Sequence, residues 1–399
     1  MYDELFDLIK SIYANQSSIV LHEPILTEHD KLYLNDVIDS GFVSSVGQYV
    51  TQFEKKLSSI TGAKETVAVV NGTSALHLAL KAVGVSHEDE VITQSLTFVA
   101  TANSIAYCGA SPVFIDVDNH TLGMSYSSLK HWLENKCKNT SKGLINRTTG
   151  RRVAACLPMH TFGNSCEIEN IASLCREFQL PLIEDAAEAM GSYYKQQHLG
   201  TFGDIGVVSF NGNKVITTGG GGALLFNDKS LAESVRHLST TAKVPHPYQY
   251  SHDQIGFNYR MPNLNAALGC AQLDKLDALL ASKRRVFKSY HDFFNTKFRS
   301  KPMSLIEPVK YCQSNHWLNA VIVEQASKVK NLIELASEQN IMLRPAWQPM
   351  HSLPMFKHAD RDDLTVTSDL ASRLVNLPSS AVINEQLNLP KLPEFMSGN

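Results

Sequence analysis

Between residues 65 and 230, short apolar runs rich in β-branched residues alternate with longer stretches of helical period. Residues 66–70 (TVAVV) read as a buried strand, and in the following 74–83 the side chains of Leu76, Ala79, Leu80 and Val83 share one helical face. Runs at 91–93, 112–115, 153–157, 181–183 and 205–210 read as further strands, with helix-length segments between most of them. A strand apolar on both faces has no side for water, so such strands separated by helices predict a mainly parallel sheet covered on both faces. The expected fold is α/β.

The flanks read differently. Residues 1–60 are helical and polar, with the turn-like Ser40-Gly-Phe-Val-Ser-Ser-Val-Gly47 between two helices. The polar stretch 138–152, with Gly143 and Gly150, reads as an exposed loop or hairpin. Residues 263–298 read as one long helix, and beyond about 300 a strand-like 317–323, a helix near 328–339 and a Pro-rich 344–354 suggest a smaller α+β domain. The expected division is 1–60 (helical, contributing to the substrate site), 61–262 (large α/β domain), 263–299 (connecting helix) and 300–399 (small domain).

Composition narrows the partners. With 36 Lys+Arg against 39 Asp+Glu, a net charge of −3 offers no general attraction to nucleic acid or anionic lipid. The acidic start MYDELFDLIKSIY lacks the basic region and apolar run of a signal peptide, and no stretch is long enough to span a bilayer. A cytoplasmic location is expected. The seven cysteines are scattered without a CxxC pair, and no HxxH or HExxH occurs, so neither a disulfide framework nor a metal is expected.

Three segments lie where strands give way to loops or helices, the edge at which parallel sheets collect ligands. Val70-Asn-Gly-Thr-Ser-Ala75 opens a helix: its hydroxyls and free N–H groups suit a phosphate, or serve only as a helix cap. Leu182-Ile-Glu-Asp-Ala-Ala-Glu188 runs an apolar strand into carboxylates; Asp185 at its end needs a cation or a proton. It is either salt-bridged in the scaffold or paired with a protonated cofactor nitrogen. Ser209-Phe-Asn-Gly-Asn-Lys214 precedes the run Gly219–Gly222, so Lys214 sits in a loop between apolar strands, as a surface lysine or as an amine held for carbonyl chemistry. A phosphate cup, a carboxylate and an amine at one sheet edge form the set that pyridoxal phosphate requires.

Gly41-Phe-Val-Ser-Ser-Val-Gly47, Asn71-Gly-Thr-Ser-Ala-Leu76, Leu96-Thr-Phe-Val-Ala-Thr101, Pro158-Met-His-Thr-Phe-Gly163, Glu184-Asp-Ala-Ala-Glu188, the 209–222 stretch, Gly256-Phe-Asn-Tyr-Arg-Met261 and Arg344-Pro-Ala-Trp347 carry a resemblance. Over nearly its whole length the chain resembles the DegT/DnrJ/EryC1/StrS aminotransferases, which are fold-type-I, pyridoxal-phosphate-dependent enzymes acting on nucleotide-linked keto-sugars. It looks most like the 4-aminotransferases of bacillosamine and legionaminic acid biosynthesis, whose acceptor is UDP-linked 4-keto-6-deoxy-N-acetylglucosamine.

That resemblance implies roles. Lys214 would bond the cofactor aldehyde and shuttle the proton; Asp185 would pair with the pyridine nitrogen. Thr73, Ser74 and Ser209 would hold the phosphate, Phe98 would stack on the ring, and Asn258 would reach the phosphate of the other subunit in a homodimer. Gly41, Phe42, Val43, Ser44, Arg344 and Trp347, with Asn315 and His351, match places where relatives touch the sugar nucleotide. L-Glutamate would be the amino donor. Glu188 stands where many relatives carry Gln or His, so it must be protonated beside the cofactor's phenolic oxygen or turned toward substrate; the bacillosamine-type relatives also tend to carry Glu, which favours the second. The run Gly219–Gly222 also lacks the acid many relatives have there.

Rival expectations are a GDP- or dTDP-linked acceptor of perosamine type, a sugar dehydratase (which would replace Lys214 with His), a plain amino-acid aminotransferase, and a non-catalytic regulator. His160 and His77 read as packed, and Lys283-Arg-Arg285 as a solvated helix face.

Overall fold

The computed structural model describes residues 2–14, 16–296, 302–383 and 389–390. Its large domain is built on β1 (Glu65–Val69), β2 (Glu90–Gln94), β3 (Ser111–Ile115), β4 (Val153–Leu157), β5 (Ile183–Asp185), β6 (Ile205–Ser209) and β7 (Gly222–Phe226). A four-stranded sheet β1-β7-β6-β5 and a three-stranded sheet β4-β2-β3 join through parallel bridges Cys156–Leu182 and Met159–Asp185. All strands run parallel except β7, which is antiparallel to β1 and β6. Period-two alternation sends Val67, Val69, Ile183, Val207 and Leu224 to one face and Ala68, Ile92, Val113, Val208 and Ala223 to the other. Both faces are buried, as the unbroken apolar runs required.

Helices α1 (Asp3–Ile12), α2 (Glu28–Ser40) and α3 (Gln48–Thr61) fill the N-terminal region. The Thr27 and Asp30 side chains form a capping box that starts α2. Helices α4 (Gly72–Ala82), α5 (Val99–Tyr107), α6 (Tyr126–Lys136), α7 (Ile168–Glu177) and α8 (Lys229–Ser239) cover the sheet. The 138–152 stretch contains a hairpin, Cys137–Thr140 against Gly143–Asn146, with Gly143 at φ +99°.

The single helix expected over 263–298 is two, α9 (Asn263–Asp274) and α10 (Leu276–Thr296), and its expected end, like the division at 299/300, lies outside the described residues. The break falls where Lys275 turns inward to pair with buried Asp30, while Asp274 accepts from His29, Tyr33 and Lys56. Those partners come from α2 and α3, so helical period cannot reveal them. The small domain carries an antiparallel sheet of β8 (Met303–Leu305), β9 (Asn319–Val323), β10 (Arg344–Pro345) and β11 (Leu374–Leu377), with α11 (Val329–Glu338) and α12 (Thr365–Arg373).

Lys283 corrects the reading of a solvated basic face. It is buried, and its Nζ donates to the carbonyls of Trp317 (3.2 Å) and Ser379 (2.5 Å). Burial, with no carboxylate paired to it among the described residues, pushes its ammonium down to about 7. Among the described residues no helix is long and apolar enough to cross a membrane, and no three His, Cys, Asp or Glu are grouped to hold a metal ion.

Candidate active site

The chain's acidic and basic chemistry converges at the carboxyl ends of β5 and β6. Asp185 ends β5 and is buried; its Oδ2 accepts from the Thr101 hydroxyl (2.7 Å) and its Oδ1 from the Ala187 N–H (3.2 Å). Thr101 is in turn 2.7 Å from the Thr97 hydroxyl. Among the described residues no cation lies in ion-pairing distance of Asp185, and burial raises its carboxyl above the usual carboxylate range although the Thr101 hydroxyl opposes the rise. A protonated ring nitrogen is the cation such a group lacks.

Lys214 leaves the β6–β7 loop with its side chain 14% exposed. Its Nζ lies 3.5 Å from Glu188 Oε1 and 3.8 Å from the centroid of the Trp317 ring. Burial lowers its ammonium, and the carboxyls of Glu188 and Asp185 pull the other way. Burial pushes Glu188 up to about 7 against the opposing charge of Lys214, so near neutral pH it holds a proton part of the time. Its other oxygen accepts from the Phe162 N–H (2.9 Å). That N–H belongs to a tight turn in which Phe162 has φ +56° and Gly163 φ +89°. A Cβ on Gly163 would meet the Asn315 Oδ1 at 2.0 Å, so the turn requires glycine.

The expected phosphate cup falls where α4 begins. Asn71 Oδ1 caps it by accepting from the Ser74 N–H (2.7 Å), which leaves the N–H groups of Gly72 and Thr73 without helical partners. Ser209 ends β6 directly opposite: a Cβ on Gly72 would come within 3.0 Å of its Cβ. Thr73 and Ser74 thus lie in the first turn of α4, with Ser209 against Gly72 at the same helix N-terminus, a setting that suits an anion. Phe98, 51% exposed, stands at the start of α5 above the same edge. A carboxylate with no cation beside it among the described residues, an amine whose ammonium is disfavoured by burial and a helix N-terminus suited to an anion thus fit pyridoxal phosphate.

The remaining expected residues are distributed unevenly. Gly41, in the left-handed conformation that ends α2, leads an exposed loop with Phe42, Val43 and Ser44. Asn263 ties that loop down, its N–H on the Ser44 carbonyl (2.7 Å) and its Nδ2 on the Phe42 carbonyl (2.7 Å). Arg344 is exposed on β10, and the Trp347 ring lies 5.1 Å from Phe162. His351 is half-buried with Nδ1 2.8 Å from the Ser95 hydroxyl, just past β2. Asn258 is exposed and bridges Thr240.

Asn315 differs from its expected substrate contact. It is buried, its Nδ2 donates to the carbonyls of Glu188 (2.8 Å) and Met190 (2.9 Å), and its Oδ1 accepts from the Trp317 N–H (2.8 Å). With both polar atoms of its side chain engaged inside the chain, it braces the Glu188 backbone. The sequence also left Trp317, Thr101 and His22 unassigned. Trp317 reads as core in an apolar run, and Thr101 was visible only inside the Leu96–Thr101 motif. The His22 ring is kept neutral by burial and by the charges of Lys283 and Lys214, and its buried Nδ1 has no partner among the described residues.

Fold and site together are those of a transaminase that uses pyridoxal phosphate. Residues 24–387 match the DegT/DnrJ/EryC1/StrS aminotransferase family, and the chain belongs to it. It is similar to GDP-perosamine synthase of Escherichia coli O157:H7, with 37% identity over 92% of this chain and 95% of that one. It is also similar to the putative pyridoxal phosphate-dependent aminotransferase EpsN of Bacillus subtilis (strain 168), at 36% identity over 92% of each. Among solved structures, the aminotransferase TlmJ from Streptoalloteichus hindustanus superposes with a TM-score of 0.82 at 27% identity, covering 91% of this chain and 93% of that one.

Proposed function

We propose that this transaminase moves an amino group from L-glutamate to C4 of a nucleotide-linked 4-keto-6-deoxy sugar, and that the acceptor is GDP-linked, of perosamine type. The observation that carries the chemistry is the placement of Lys214 Nζ 3.5 Å from Glu188 at the same sheet edge as the cation-free Asp185. What supports the acceptor is the similarity to GDP-perosamine synthases over nine-tenths of the chain, which favours GDP over the UDP-linked acceptor that the family resemblance implied.

Asp185 and Thr101 would hold the cofactor's ring nitrogen protonated, and Thr73, Ser74 and Ser209 would hold its phosphate. Bound there, pyridoxal phosphate supplies an electron sink for the carbon that loses its proton. Nζ of Lys214 takes the proton from the donor's Cα and later delivers one to C4 of the sugar. Phe98 covers the ring and keeps water from that nitrogen. Gly41, Phe42, Val43, Ser44, Arg344, Trp347 and His351 are the proposed rim for the sugar nucleotide. The proposed active unit is a homodimer with Asn258 crossing to the partner; the exposed Tyr248, Tyr250 and Ile255 on the loop leading to it supply apolar surface for that contact.

Incubating the enzyme and L-glutamate with GDP-, dTDP- and UDP-linked keto-sugars, and reading the products by NMR, tests the assignment. The GDP sugar should be aminated at C4 with the highest kcat/KM. A higher value for the UDP sugar would overturn the nucleotide, and amination of α-keto acids alone would overturn the sugar.

A further inference from the structure

We propose that Trp317 is the positioning residue for the catalytic amine: the face of its indole is where the Lys214 ammonium rests whenever Nζ is not bonded to the cofactor. The inference builds on the role given to Lys214 above. Nζ sits 3.8 Å from the ring centroid, well inside the reach of a cation–π contact.

The ring is held for this purpose at several points. Its Nε1–H donates to the carbonyl of Asn213 (2.6 Å), the residue just before Lys214, so indole and lysine loop move as one piece. Its backbone N–H is fixed by Asn315 Oδ1 and its carbonyl by Lys283 Nζ. The ammonium is thus flanked by a π face and the Glu188 carboxyl, with Asp185 the next negative group and the neutral His22 and the Lys283 cation bordering the same region.

A proton-shuttling lysine must exist as ammonium and as amine in one turnover, in a desolvated site that by itself favours the amine. An aromatic face stabilises the cation without a directional hydrogen bond. When Nζ departs to the cofactor, the indole face itself is left with no unpaired donor or acceptor. A carboxylate in the same place would bind more strongly and leave an uncompensated buried charge.

The test measures the ionisation of Nζ in the cofactor-free, full-length protein, from the pH profile of Lys214 acylation followed by peptide mass spectrometry. Trp317→Leu should move the midpoint down by about 0.5 to 1 pH unit, while Trp317→Phe, which keeps a π face, should move it by less than half as much. Should Trp317→Leu fail to fold, fluorinated tryptophans placed at position 317 keep shape while draining the π face, and the midpoint should fall step by step with fluorine content. An unchanged or raised midpoint, or equal shifts for Leu and Phe, overturns the proposal. Because this measurement needs neither sugar nor donor, its failure would leave the transaminase assignment standing, and loss of that assignment would leave the midpoints readable.

Discussion

Replacing Glu188 by Gln removes one charge and keeps the shape, so its effect on stability should depend on pH in a calculable way. Burial pushes the Glu188 carboxyl from 4.5 up to about 7 in the folded, cofactor-free chain. Between those two values the folded state holds a proton that the unfolded state has lost, so stability falls as pH rises through that window. The shift spans roughly 2.5 pH units, which corresponds to about 3 kcal/mol by pH 7.5. Gln has no proton to lose and can still accept from the Phe162 N–H. Urea unfolding of cofactor-free parent and Glu188→Gln at pH 4, 5, 6 and 7.5 should therefore give near-equal stabilities at pH 4 and a widening advantage for Gln, approaching about 3 kcal/mol at pH 7.5. A difference that stays flat across this range, or that favours the parent as pH rises, would show that Glu188 is an ordinary ionised carboxylate held by Lys214, and the burial argument would be wrong.

Other perturbations test other parts of the site. Lys214→Ala should abolish turnover while the circular dichroism spectrum stays that of the parent; turnover above a few per cent of the parent rate would defeat its role. Thr101→Val removes a hydroxyl from a buried carboxylate and should cost about 1–3 kcal/mol in unfolding experiments, together with weaker cofactor binding read by equilibrium dialysis. Gly72→Ala places a methyl against Ser209 and should weaken cofactor retention more than it lowers the melting temperature. For Lys283, whose folded ionisation is depressed to about 7 from 10.5, the unfolded chain holds the extra proton between those values. The stability of the parent relative to Lys283→Met should accordingly rise from pH 7 to pH 10, and a flat difference would place a counter-charge beside that lysine.

Much of this molecule was readable because its signals are local. Apolar strands buried on both faces need no knowledge of their neighbours to be recognised, and Asp185, Ser209 and Lys214 follow those strands at short range. The turn glycines at 41, 72 and 163 sit inside motifs whose spacing carries their role. The hairpin within 138–152 was visible for the same reason, as a cluster of turn residues.

What the linear order left open was decided by groups far apart in it. Asn315 looks like a free polar residue until folding brings it under Glu188 and Met190, where three polar atoms of the chain consume its amide. Lys283 lies in a basic cluster on a helix, and only packing against Trp317 and Ser379 shows it to be internal. The pairing of Lys275 with Asp30 breaks a helix that its own sequence would continue. In each case burial alters the energetics of a polar group by an amount set by which partners surround it. Hydrophobic period and turn chemistry act over a few residues and so determined the α/β scaffold and the three segments from which the candidate site is built. The partners of buried charges come from anywhere along the chain, so only the tertiary structure decided that Trp317 meets the amine of Lys214.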